Sequence, residues 1–90
     1  MDGTTREGYE QIARVFHRQL RRTSGGAAVA VYHRGEPVVD LWGGWKDIDE
    51  RWASDTVAMC FSTTKGVVST ALHVLPDRGL VDYDQPVATY

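Results

Sequence analysis

Cysteine is nearly absent from this sequence, and its scarcity excludes two classes of small protein. Cys60 is the single cysteine among 90 residues, so neither an internal disulfide framework nor a metal site with several thiolates can form. His17, His33 and His73 show no metal-ligand spacing with one another or with Cys60, and we therefore expect no metal and no cofactor. We interpret Cys60 as a small buried apolar residue rather than as a nucleophile.

The sequence also lacks long apolar runs and an excess of charge of either sign. No run is long enough to span a bilayer, and residues 1–10 lack the apolar centre of a secretory signal. We therefore expect a cytoplasmic protein without a membrane partner. The net charge is −2 and only Arg21 and Arg22 adjoin, so we expect no nucleic-acid partner. With 42% apolar residues, the chain suits one small domain or part of a larger one.

The beginning of the chain predicts one amphipathic helix over residues 5–22. Thr4 followed by Glu7 has the spacing of a capping box, and apolar side chains then recur at helical intervals, namely Tyr9, Ile12, Ala13, Phe16 and Leu20. The opposite face carries Arg14, Arg18 and Arg21, and the late arginines among them suit the negative end of the helix dipole. We interpret this face as solvated.

The next segment predicts an antiparallel hairpin. Residues 23–26 break the helical pattern, and residues 27–32 form an apolar, partly β-branched run typical of a buried strand. Residues 34–35 form a short turn whose glycine can take a positive φ, and residues 38–42 return as the second strand. Pro37 fits at the start of that strand or on a sheet edge.

Aromatic and charged residues follow the hairpin. Two glycines, residues 43–44, interrupt the second strand, Trp45 is placed to resume it, and residues 47–51 predict a charged loop. Trp42, Trp45 and Trp52 could line a ligand groove, but aromatic residues beside strands more often pack against a helix. We assign them to packing.

A second helix is predicted from Thr63 to about Leu75. Its apolar residues surround the axis instead of following one side, and such a helix is normally buried. Pro76 removes a helical N–H, so the last turn is expected to be kinked or already ended before Gly79. Further on, Asp84 is predicted to cap a third helix with Pro86 in its first turn.

Ser62 and Lys65 form the one constellation with a chemical interpretation. Residues three apart on a helix share a face, and a serine hydroxyl becomes a nucleophile when an adjacent base takes its proton. A lysine amine can be that base when neutral, a form that burial and the positive end of the helix dipole favour. Backbone N–H groups at the helix start could also stabilise an oxyanion. Taken alone, the pattern is better explained by Ser62 as an ordinary N-cap and Lys65 as a solvated side chain whose aliphatic stem covers apolar surface.

His73 cannot assist Ser62, although it recurs on nearly the same helical face. At 1.5 Å per residue it lies about 16 Å away along the axis, which exceeds hydrogen-bond reach. We interpret it as a core or rim histidine.

Five strings of sequence, in order, carry a family resemblance: GAAVAVY from Gly26, VDLWGG from Val39, FSTTKGV from Phe61, DRGL from Asp77 and DQPV from Asp84. Together they resemble the β-lactamase-like serine hydrolases. The likeness is strongest to the family VIII carboxylesterases and related lipase-like proteins, which also resemble class C β-lactamases and penicillin-binding proteins. It extends over residues 9–90, in the order of that family's N-terminal region.

The resemblance implies Ser62 as nucleophile, Lys65 as its base, and a covalent acyl-enzyme that water hydrolyses. The family also uses a Tyr in a Tyr-x-Asn-like motif and a Lys- or His-containing triplet ending in Gly, and this sequence contains neither. Residues 33–35 read His-Arg-Gly, but they precede the serine and are interpreted as a turn only. Pro76 replaces the small residue usual at that point, which puts the end of the helix in question.

Together these observations predict an α/β (α+β) fold, in which an N-terminal helix lies on an antiparallel sheet and the Ser62 helix follows. We expect one partial domain over residues 1–90, divided into residues 1–61 and 62–90. The first functional hypothesis is that the sequence is part of a hydrolase that acts on a small ester or amide. Esters are preferred because no export signal is found. The second is a non-catalytic remnant or interaction module, and a third is a ligand-binding fold built on the tryptophans. An uncovered sheet edge would favour self-association.

Overall fold

The computed structural model describes residues 1–90, and they form two units, Met1–Val57 and Ala58–Tyr90. The first unit contains a helix and two antiparallel sheets, and the second contains the helix that follows Ser62. The predicted α/β (α+β) class, with an N-terminal helix on an antiparallel sheet, is confirmed. That the whole chain is a single partial domain stays a prediction. Neither α-helix is long and apolar enough to cross a membrane.

A three-stranded antiparallel sheet forms the centre of the first unit. Its strands are β1 (Asp2–Thr5), β2 (Ala27–His33) and β3 (Glu36–Gly43), in the order β1-β3-β2. The predicted hairpin is confirmed, because β2 and β3 are joined by a two-residue turn at residues 34–35. Arg34 and Gly35 both have a positive φ, 53° and 80°. A type I′ turn, whose twist matches that of the two strands, requires a positive φ at both of its central residues.

The helix α1 (Glu10–Leu20) covers one face of this sheet. The core consists of Val38, Val39 and Leu41 of β3, against which partly buried apolar side chains pack from both neighbours, namely Tyr9, Ile12, Ala13, Phe16, Val29 and Val31. Val38 and Val39 are successive residues of β3, yet both are in the core, because a β-bulge interrupts the alternation of side chains there. The pairing register shifts after Val31 and leaves Val38 without a partner on β2. The expectation that β2 is a buried strand is wrong, because none of its residues is fully buried.

The predicted capping box is wrong, and the first helix begins later than expected. Thr4 and Thr5 belong to β1 and pair with β3, so Thr4 cannot cap a helix. Gly8, at a φ of +89°, turns the chain, and its N–H donates to the carboxylate of Glu10. Hydrogen bonding of Thr4 and Thr5 to β3, a strand distant in sequence, therefore determines their structure despite the local capping pattern.

The region beyond the central sheet forms a second, smaller sheet. Strands β4 (Trp45–Asp47) and β5 (Glu50–Arg51) pair antiparallel, so part of the predicted charged loop is strand. Gly44, at a φ of +85°, separates β4 from β3. Trp52 lies against Gly26, where an added Cβ would come within 2.4 Å of the ring, and Trp45 stacks under Arg51 at 4.8 Å. These contacts are with a glycine and an arginine, not with the helix that the sequence favoured.

The second unit is built on α2 (Thr63–Asp77). The helix extends past Leu75 and includes Pro76, because a proline near the end removes only one N–H. It ends in a Schellman motif, in which Leu80 N–H donates to the carbonyl of Leu75 and Gly79, at a φ of +71°, donates to that of Pro76.

Two further expectations for this unit are wrong. Only Leu75 and Pro76 of α2 are even partly buried, because the remainder of Ala58–Tyr90 supplies turns and no packed layer. The final element is a short 3-10 helix, Val87–Thr89, for which Pro86 and not Asp84 occupies the N-cap position. The backbone N–H of Asp84 donates to the Asp82 side chain instead.

Candidate active site

Ser62 stands at the turn that leads into α2. It occupies the N-cap position with a φ of 61° and a ψ of −10°, in the left-handed region that residues other than glycine seldom adopt. Such a conformation costs about 1–3 kcal/mol and is enriched at functional sites. Ser62 and Arg34 are the two non-glycine residues with positive φ, and Arg34 is explained by its hairpin turn.

The Lys65 amine contacts the Ser62 hydroxyl directly. Lys65 Nζ donates to Ser62 Oγ at 3.0 Å, and the backbone N–H of Lys65 donates to the Ser62 carbonyl, also at 3.0 Å. The Ser62 hydroxyl makes no capping hydrogen bond to the first turn. The simple N-cap interpretation therefore lacks the contact that defines it, whereas the spacing argument correctly places both side chains on one face.

The two side chains are exposed, in contrast to the burial that the sequence predicted for this helix. No other side chain bonds to Lys65, and the first turn of α2 holds no acidic residue. The predicted helix N-terminus is therefore present beside Lys65, and the predicted burial is absent.

Backbone donors lie next to the nucleophile candidate. Thr63 and Thr64 are the first two residues of α2, and helix geometry gives their N–H groups no acceptor within the helix. Donors of this kind stabilise negative charge on an oxygen close to the helix start. The local fold thus combines a hydroxyl, an amine and free N–H groups within one turn.

An open groove of about 660 Å³ runs along the same face of α2. Its lining begins at the Ser62–Lys65 pair and continues over apolar and hydroxyl side chains, namely Thr64, Val68, Ser69 and Leu72. Ser69 was not singled out from the sequence, although its position seven residues after Ser62 is two helical turns along the same face.

The other residues considered from the sequence do not join this pair. The His73 ring bonds to the Tyr83 hydroxyl through Nδ1 and to Ser69 Oγ through Nε2, and it makes no bond to Ser62. Cys60 is exposed, so its interpretation as a buried apolar residue is wrong. His33 ends β2 and bonds to the Tyr9 hydroxyl at 2.6 Å. No group of three His, Cys, Asp or Glu side chains is arranged to hold a metal ion.

Comparisons with known proteins identify a family model and a relative that this chain matches. The family model described as Beta-lactamase matches residues 12–90. The chain is also 52% identical, over 71 residues, to a protein of Mycobacterium tuberculosis (strain ATCC 25618 / H37Rv) named Esterase/beta-lactamase LipL. That alignment covers 77% of this chain and 17% of the relative, so the chain spans about one sixth of the relative's length. No solved structure matches the chain.

Proposed function

Because the chain belongs to the beta-lactamase family, we propose that it supplies the nucleophile Ser62 and the base Lys65 of a serine hydrolase that acts through an acyl-enzyme. One observation carries the assignment of these two residues. The amine and the hydroxyl are 3.0 Å apart, within the range that direct proton transfer requires, at a strained turn into a helix.

The proposed reaction proceeds in two balanced stages. In the first, neutral Lys65 Nζ accepts the Ser62 hydroxyl proton while Oγ bonds to the substrate carbonyl carbon, and the carbonyl oxygen becomes an oxyanion. The N–H groups of Thr63 and Thr64 are the local donors available to that oxygen. When the oxyanion collapses, the bond to the leaving group breaks, and the Lys65 ammonium returns the proton to the departing alcohol or amine.

Water completes the second stage. The Lys65 amine accepts a proton from water while the water oxygen bonds to the acyl carbon. When the new oxyanion collapses, the bond between the acyl carbon and Oγ breaks, the acid is released, and the Lys65 ammonium returns its proton to Oγ. Both stages start from a neutral amine. Lys65 donates to Ser62 and is exposed in the present structure, so a bound substrate or a further layer of protein over the groove would favour that state by excluding water.

Esters are the proposed substrates. The relative's name includes both esterase and beta-lactamase, and the groove beside Ser62 offers apolar side chains, Val68 and Leu72, to an acyl or alcohol group. Hydrolysis of a p-nitrophenyl ester and of a chromogenic cephalosporin by the intact protein tests this choice. Faster turnover of the cephalosporin, compared as kcat/KM, would reverse it.

Labelling by a fluorophosphonate probe tests the nucleophile. We expect Ser62→Ala to abolish labelling and Lys65→Ala to slow it by roughly 100-fold to 10,000-fold, because the base is lost. Ser69→Ala is the matched control, since Ser69 lines the same groove but has no lysine three residues on. Equal labelling of the wild-type protein and Ser62→Ala, or loss of labelling only in Ser69→Ala, would contradict the assignment.

A second candidate function is a non-catalytic remnant or interaction module. The exposed helix α2 and a core of only Val38, Val39 and Leu41 favour it for the 90-residue chain alone. If the purified, monomeric 90-residue chain hydrolyses a p-nitrophenyl ester and Lys65→Ala removes that activity, this candidate is excluded.

Self-association through a sheet edge is also proposed. Strand β2 pairs with β3 alone, and its seven residues include neither proline nor lysine, the residues that commonly protect an edge. Light scattering of the wild-type chain and of Ala30→Lys tests this: association that persists unchanged in the variant would exclude the edge as its cause. A cytoplasmic location stays a prediction, which fractionation of source cells would test.

A further inference from the structure

Four arginines concentrate positive charge at the end of α1. Arg14, Arg18 and Arg21 recur at intervals of four and three residues, and Arg22 follows directly. This arginine face is defined by those four residues, and it is opposite to the side chains that pack on the sheet. Within residues 14–22 there is no acidic residue, while the rest of the chain has six Lys and Arg against twelve Asp and Glu. The positive charge is therefore segregated from an otherwise acidic chain.

The four guanidinium groups are exposed and form no ion pair, although the charge of Arg14 helps to lower the pKa of Glu10 one turn earlier. The two ion pairs of the structure, Arg6–Glu36 and Lys46–Glu50, involve none of them. Arg14 bonds only to the side-chain oxygen of Gln11, at 2.7 and 3.2 Å. Their donors are thus available to a ligand, since each guanidinium has five N–H groups in a planar fork.

Local helix stability accounts for only part of this cluster. A cation in the last turn interacts favourably with the helix dipole, but that effect is confined to the last turn. Arg14 and Arg18 are like charges four residues apart within α1, a spacing that destabilises a helix. A solvated face could use any polar residue, whereas four arginines at these positions keep an unfavourable repulsion in place.

The arginine face is open to solvent, and its exposed side chains surround a shallow depression. Its four side chains and His17 line a cavity of about 330 Å³ at the surface of the first unit. Guanidinium groups bind phosphate oxygens through two parallel hydrogen bonds, which a lysine ammonium cannot do. No aromatic side chain lines the cavity, so stacking of nucleic-acid bases is not provided.

From this geometry we infer that the arginine face binds the phosphate groups of a small polyanion or of lipid headgroups, and not nucleic acid. Several phosphate groups on one ligand, or on neighbouring lipid headgroups, would engage the guanidinium forks together and relieve their mutual repulsion. The site lies wholly within Met1–Val57 and does not depend on the proposed hydrolase function.

Two probes distinguish the sources of phosphate. Calorimetric titration of the intact protein with inorganic tripolyphosphate tests a soluble anion. Co-sedimentation with phosphatidylcholine vesicles, with and without phosphatidylglycerol, tests a lipid headgroup. Binding to either probe, or to both, supports the site, and the probe that binds identifies the source.

A pair of double variants tests the residues. We expect Arg18→Gln with Arg21→Gln to weaken binding roughly tenfold, because each exposed guanidinium contributes modestly to anion binding. The matched control, Arg51→Gln with Arg78→Gln, loses the same charge outside the arginine face and should bind like wild type. Circular dichroism would confirm that both variants keep their helices.

Three results would overturn the inference. The first is that neither probe binds. The second is that both double variants weaken binding equally, which would mean that overall charge and not the arginine face is responsible. The third is that a single-stranded oligonucleotide binds more tightly than either probe, which would identify a nucleic-acid surface instead.

Discussion

A glycine substitution in β1 tests the strand that the sequence did not predict. Gly3 pairs with Leu41 and has a φ of +108°. A Cβ at this position would lie 2.0 Å from the Asp40 carbonyl oxygen and 2.9 Å from Leu41 Cα, both backbone atoms of the central strand. Gly8 is a matched comparison, because its φ is +89° and an added Cβ would meet nothing within 4 Å.

Both substitutions introduce backbone strain, but only Gly3→Ala also creates a steric clash. Alanine at a glycine-type φ costs about 1–3 kcal/mol at either position. At Gly3 the clash is with backbone, so β1 must separate from β3 and lose at least two hydrogen bonds, each worth a net ~1 kcal/mol. We therefore expect Gly3→Ala to lower the free energy of unfolding by about 4 kcal/mol and Gly8→Ala by about 2 kcal/mol.

Urea unfolding followed by tryptophan fluorescence measures both values, since the three tryptophans all lie in Met1–Val57. Amide hydrogen exchange supplies an independent readout, and Gly3→Ala should increase exchange of the β3 amides that pair with β1. Equal losses of stability for Gly3→Ala and Gly8→Ala, with unchanged exchange in β3, would refute the pairing of Asp2–Thr5 with this sheet.

Three further predictions concern the core, a carboxylate and a helix end. Val39→Ala should cost about 2 kcal/mol in urea unfolding because Val39 is 1% exposed, whereas Val57→Ala, at a 91% exposed position, should cost almost nothing; similar losses would contradict the core assignment. Hydrogen bonds from its own N–H and from that of Gly8 lower the pKa of Glu10, so its contribution to stability is present above the ordinary value of 4.5 and lost as pH falls through the lowered value. Carboxyl titration by NMR should show this lowered pKa, and Glu10→Gln should be less sensitive to acid than wild type. Gly79→Ala should cost about 1 kcal/mol and reduce helicity by circular dichroism, because Gly79 has a positive φ but open space around it; unchanged helicity would argue against the Schellman motif.

Elements specified by short-range spacing were predictable from the sequence. The hairpin follows from two apolar runs around an Arg-Gly turn, and β2 and β3 lie within a residue or two of the expected positions. The pair Ser62 and Lys65 follows from a three-residue spacing at a helix start, and the structure brings the two side chains into contact. The catalytic roles of the pair remain proposals.

Elements specified by distant partners were not predictable in the same way. Residues 2–5 have no alternating pattern and contain a glycine, so only the exposed edge of β3 makes them a strand. The burial of α2 was wrong for a related reason, since an apolar helix is buried only where another layer covers it. No residue type signals the left-handed conformation of Ser62 either.

The sequence by itself determined the helix and hairpin periodicities, the glycine turns and the hydroxyl–amine spacing, because each depends on backbone geometry within a few residues. Only the tertiary structure decided that Thr4 belongs to a strand and that Val38 joins the core through a bulge. Strand pairing and core membership depend on which distant backbone groups form hydrogen bonds with each other. The spacing of neighbouring residues carries no information about those distant partners.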